Sequence, residues 1–209
     1  MKKALSILFF LYCLNLFAQE EKKVFKGGFR LGISTSQVEG DGYYGFHKYG
    51  LALGPTLTAR MSDKWDTQFE ILFIQKGSQN GHLDSTASGY NYNYYRMALN
   101  YMEVPLLLNY KQKKFTFEAG FALGVLVSAH EYDYVGEISS LTPFKRGEFS
   151  CVAGIHYQVY KKLGLTWRYE NSILPIRDYQ SGASFWFNPG QINVVIAFTA
   201  TYQFGKLEK

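Results

Sequence analysis

Cysteine is nearly absent. The 209-residue chain has two, and Cys13 lies in an N-terminal apolar run. Only Cys151 belongs to the remainder, so no internal disulfide can staple it. Long apolar runs are equally scarce. After Ala4–Phe17, no stretch is long and apolar enough for a transmembrane helix, because Glu118 and Asn193 interrupt or flank the best candidates. Any membrane span must therefore be made of strands. The chain also lacks a strong excess of one charge. Its net charge of +5 comes with no basic stripe, which excludes a nucleic-acid partner. No nucleophile–base–orienter set can be assembled, so neither catalysis nor a cofactor is expected.

What is present begins with a secretion signal. Lys2 and Lys3 precede the apolar run, and Ala18 ahead of Gln19 suits cleavage, making residues 1–18 a signal peptide. Tyr12 beside Cys13 fits a lipoprotein poorly. Losing the two lysines lowers the net charge to +3. Residues 19–209 remain as one domain.

In that domain eight stretches alternate apolar and polar residues, near 25–34, 47–60, 65–76, 98–110, 115–128, 148–160, 163–172 and 192–204. Leu72, Ile74, Leu126 and Val195 break the pattern. Connections run long, short, long, short. The short ones, Met61–Lys64, Lys111–Lys114 and Lys161–Lys162, are basic. This pattern specifies an all-β fold, an eight-stranded antiparallel up-and-down transmembrane β-barrel. Two barrels share the pattern, a soluble one with its apolar face inward and a membrane one with it outward. Glycine decides between them. Eight of nine strand glycines lie on the polar face, and small residues suit the crowded concave side of a narrow barrel. The polar face is thus the lumen, and the apolar face meets outer-membrane lipid. Trp65, Tyr110, Phe115, Tyr157, Phe25 and Phe204 cluster beside the short turns as an interfacial girdle. The last strand, ending at Phe204, has the form that outer-membrane assembly machinery reads, although five residues follow it.

Gln19 after the signal, Gly28–Gly32, Glu70–Gly77 (EILFIQKG) and Tyr101–Tyr110 (YMEVPLLLNY) together resemble the PorT-like outer-membrane β-barrel family of Bacteroidetes. The resemblance spans the mature chain. It implies an eight-stranded barrel in the outer membrane of a Gram-negative bacterium. Some members are associated with type IX secretion and gliding, which the resemblance offers as one role, while most members have no assigned activity.

Inside the barrel six positive residues meet six negative ones. The network is expected to comprise Arg30, Arg60, Asp66, Glu70, Glu103, Glu118, Arg168 and Glu170, because unpaired charges in a confined interior are costly. Arg60 should face Asp66 across the first short turn. Glu103 should pair with Arg30 or Arg168, turned inward by a bulge or kink at Pro105. The bland outcome is a salt-bridged plug, and the rival is a narrow conducting path. His156 reads as a satisfied interior histidine. In the loops, Tyr43, Tyr44, Tyr92, Tyr94, Tyr132, Tyr134 and Trp186 stand among Gly, Ser and Asn, the composition of a recognition surface for a protein partner. A structural alternative is that strands continue above the membrane and pack these tyrosines together. A lipid-modifying enzyme would instead need His82 or His130 beside a serine or carboxylate at the rim. His130, Glu131 and Asp133 are of metal-ligating types, but a solvated polar loop is the better reading of them, and no metal site is expected.

Overall fold

The computed structural model describes residues 25–81, 94–139, 142–178 and 190–204. The proposed signal peptide, His82, Tyr92 and Trp186 lie outside them. Among the described residues ten strands form: β1 Phe25–Glu39, β2 Lys48–Arg60, β3 Trp65–Glu70, β4 Leu72–Asn80, β5 Tyr95–Gln112, β6 Phe115–Asp133, β7 Gly147–Tyr160, β8 Leu163–Ser172, β9 Arg177–Asp178 and β10 Gly190–Gln203. β3 and β4 are halves of one stave parted at Ile71. Eight staves therefore close a ring in the order β1, β10, β8, β7, β6, β5, β3/β4, β2, with β2 pairing back onto β1. Every pairing is antiparallel. Among the described residues no helix is long and apolar enough to cross a membrane.

The faces fall as the alternation requires. Leu31, Ile33, Leu106, Phe121, Leu165 and Phe198 are exposed outside, while Arg30, Glu70, Glu118 and Arg168 are buried inside. Charged in and apolar out is the polarity of a barrel in lipid. Glycine on the inner face permits close strand approach. A Cβ on Gly54 would lie 1.9 Å from the Ile71 carbonyl oxygen, and one on Gly120 would lie 2.1 Å from that of Leu106.

The stave breaks at Ile71 because both neighbours present proline there. The Ile71 amide donates to the Pro55 carbonyl at 3.1 Å, but a proline has no N–H to return the bond. On the other side, β5 pairing skips from Leu106–Phe69 to Glu103–Leu72 across Pro105. Of the bulge or kink expected at Pro105, the structure shows this interruption on the β3/β4 side, while against β6 Pro105 stays in register with Ala122 and the bulge is not there. It lies higher, where Asn100 pairs with Ser128 and Tyr101 with Leu126, leaving Val127 as the extra residue. That residue reverses the alternation. Below it Glu118 and Ala122 point inward; above it Glu131 is buried and His130 exposed.

Trp65–Tyr110, Phe115–Tyr157 and Tyr202–Phe204 pack at centroid distances of 4.9, 5.0 and 5.8 Å beside the short turns. They form the aromatic girdle at that end. At the other end the strands overrun their expected limits, and Tyr95 still pairs with Asp133. The pattern-breaking Leu72, Ile74 and Val195 point inward and pack with Met97, Leu99 and Tyr101 in an apolar layer of the lumen.

Candidate functional site

Ion pairs cross the lumen in successive layers. In the first, Arg168 Nη1 and Nη2 donate to the two carboxylate oxygens of Glu70, both at 3.0 Å, and its Nε donates to Glu118 at 2.7 Å. Arg30 lies 3.1 Å from Glu70 and 3.7 Å from Glu118, and donates to Thr199 at 3.0 Å. Two guanidinium groups and two carboxylates thus balance. All four side chains are at most 4% exposed, so each charge depends on its partners rather than on water.

The second layer centres on Lys76. Its Nζ lies 2.5 Å from Glu103, 2.6 Å from Glu170 and 3.2 Å from Glu148. The expectation for Glu103 was wrong in its partner: it points inward, but onto Lys76 instead of Arg30 or Arg168. The reason is height. Glu103 pairs across the ladder with Leu72, on the Lys76 side of the stave break, while Glu70 lies below it. The Asn193 amide and Ser150 hydroxyl donate to Glu148 at 3.2 and 3.3 Å. Tyr101 places its ring 5.2 Å from the ammonium.

A third pair stands at the end of the barrel opposite the short turns, and sequence reasoning missed it. Arg177, in the two-residue β9, donates to both oxygens of Glu131 at 2.7 and 2.9 Å and to Gln191 at 2.9 Å. Its guanidinium lies over Phe144 at 4.3 Å. Tyr95 donates to the same Glu131. The preceding Ile176 is fully buried in the apolar layer. Nearby, burial holds the Asp41 carboxyl above its usual range, opposed by hydrogen bonds from Ser78 and the Tyr43 amide.

The remaining expected pairings divide. Arg60 and Asp66 are cross-strand partners as read, but their charges go elsewhere, Arg60 to Asp63 at 2.5 Å and Asp66 to Lys111 at 2.8 Å. His156 meets Thr166 at 2.9 Å and Gln158 at 3.4 Å, a satisfied interior histidine. Below the first layer a polar vestibule of about 150 Å³ opens at the short-turn end, between Lys26, Lys111 and Gln203.

The loop tyrosines scatter. Tyr43 stacks on Tyr95 at 4.8 Å, Tyr94 is buried, Tyr132 lies against His130, and Tyr44 and Tyr134 are exposed. His130 pairs with Glu137 at 2.7 Å while Glu131 turns inward, so the His130–Glu131–Asp133 trio is not brought together.

A family model described as "Outer membrane protein beta-barrel domain" matches residues 17–177. No curated protein matches. Among solved structures, Ail, the attachment invasion locus protein of Yersinia pestis, is similar at 15% identity, covering 86% of this chain and 98% of its own, with a TM-score of 0.51. Neisserial surface protein A is similar at 10% identity, covering 88% and 100%, also with a TM-score of 0.51. At such identities the likeness is one of fold.

Proposed function

The chain belongs to the outer membrane protein β-barrel domain family, and on that premise we propose a non-catalytic barrel that displays its long loops at the cell surface. Its lumen is a plug, not a path. The observation that carries this reading is the set of stacked ion pairs from Arg168–Glu70 to Arg177–Glu131, with apolar side chains packed between. An eight-stranded barrel has an interior just wide enough for side chains to fill. A filled interior leaves the outside loops and the periplasmic turns as the surfaces that can work. The resemblance to PorT-like barrels narrows the proposal further, to a partner in secretion machinery met through those surfaces.

Protease treatment of intact cells tests the display. Cleavage confined to the long connections, with the barrel still migrating faster unboiled than boiled, is the expected result. Cleavage at the short basic turns would invert the orientation. For the narrower form, deleting the gene should impair secretion of surface cargo; unimpaired secretion removes the machinery partner while leaving the display reading intact.

A further inference from the structure

The end of the barrel that carries the short turns is strongly basic. Lys64, Lys113, Lys114 and Lys161 are exposed there, and Lys162 is half-buried. None of the five has an ion pair among the described residues, and the acids beside them are engaged elsewhere, Asp63 with Arg60 and Asp66 with Lys111. At the opposite end Glu39, Asp41, Asp133, Glu137 and Asp178 offset the cations of the described residues. The excess of positive charge thus lies at one end.

Strand pairing sets these turns side by side. Because β3 lies on β5 and β6 on β7, the turns ahead of β3, β6 and β8 follow one another around the rim. The Lys111 amide donates to the Lys64 carbonyl and the Gln158 amide to the Lys114 carbonyl, both at 2.8 Å. The same turns carry the aromatic girdle. Lys64 precedes Trp65 and Lys114 precedes Phe115, and those rings pack on Tyr110 and Tyr157. Trp65 and Phe115 are 42% and 47% exposed. Aromatic rings in such a belt mark the depth of the lipid head groups. A lysine one residue farther out stands at that depth, and its long stem lets the ammonium reach head-group phosphates.

The geometry points to a basic collar, formed by the three short turns, that gathers anionic phospholipids around this end of the barrel. The collar continues the lipid belt, so the molecules it meets are lipids already against the protein. Lysines near a membrane surface attract acidic head groups over zwitterionic ones, and the attraction accumulates with their number. The turns need no single pocket for this, because they present a row of ammonium groups along the rim. That the leaflet concerned is the periplasmic one rests on the display reading above; the lipid preference itself does not.

The test is electron spin resonance of the folded barrel in phospholipid vesicles, with spin-labelled phosphatidylglycerol and phosphatidylcholine as probes. Both ends meet the same lipids in such vesicles, so the orientation in the cell does not enter. At low salt phosphatidylglycerol should be held at the protein surface about fivefold more strongly, the worth of one lysine near an acidic surface. High salt should shrink the preference by screening. Lys64→Gln, Lys114→Gln and Lys161→Gln together should bring the ratio close to one. All three side chains are exposed, and the unboiled gel shift checks that the variant folds. Lys145→Gln with Arg146→Gln, at the other end, should leave the ratio unchanged. Equal holding of the two lipids by the unmodified barrel overturns the proposal. So does a preference that survives the three turn substitutions, or one that disappears with the pair at the other end.

Discussion

Arg168 and Glu70 join across the full width of the barrel, 98 residues apart in sequence, through two hydrogen bonds of 3.0 Å. Their strands, β8 and β3, are four staves apart in a ring of eight. Arg30 and Glu118, on β1 and β6, are also four staves apart and approach to 3.7 Å. The two contacts are crossed diameters, linked at their centre by Arg168–Glu118 and Arg30–Glu70.

Removing one end of such a brace leaves a buried charge without its partner. Arg168→Met should therefore destabilise the barrel by about 3–5 kcal/mol. The double variant Arg168→Met with Glu70→Gln should recover part of that loss. Urea unfolding in lipid vesicles, followed by the heat-modifiable gel shift, measures both. Equal stability of the single and double variants would sink the brace.

The Lys76 layer behaves differently, since one ammonium serves three carboxylates. Lys76→Met strands all three and should prevent folding or lower the unfolding midpoint severely. Glu103→Gln removes one of several like charges and should be close to neutral. The midpoints of the two variants check this, and a reversed order contradicts it.

Gly54 and Gly27 make a sharp contrast. A methyl group at Gly54 meets the Ile71 carbonyl oxygen at 1.9 Å, whereas at Gly27 its nearest neighbour is Phe204 at 3.8 Å. Gly54→Ala should reduce the folded fraction on unboiled gels, by a cost of about 1–3 kcal/mol typical of overpacking. Gly27→Ala should leave it unchanged.

Much of this was legible in the sequence because a barrel constrains each strand residue to one of two faces. Period-two alternation and the placement of glycine were enough to orient Arg30, Glu70, Glu103, Glu118, Arg168 and Glu170 inward. Height was not legible, and height chooses partners. Glu103 therefore meets Lys76 instead of the expected Arg30 or Arg168, and nothing in the alternation marks Lys76 as a hub for three carboxylates. Arg60 and Asp66 show the same limit: backbone register fixed their Cα atoms, but long side chains reached Asp63 and Lys111 instead. Leu72, Ile74 and Val195 looked like errors in the pattern, yet they build the apolar layer. Arg177 had no periodicity to report it, since it stands on a two-residue strand inside a long connection. Its partner Glu131 was concealed by the Val127 bulge, which shifts the inward parity.

The most direct test of the filled lumen is ion flux through the purified barrel in planar lipid bilayers. The stacked pairs predict a baseline no different from lipid alone at physiological salt. Stepwise conductance from the unmodified protein, in the same preparation that shows the heat-dependent gel shift, would contradict the account.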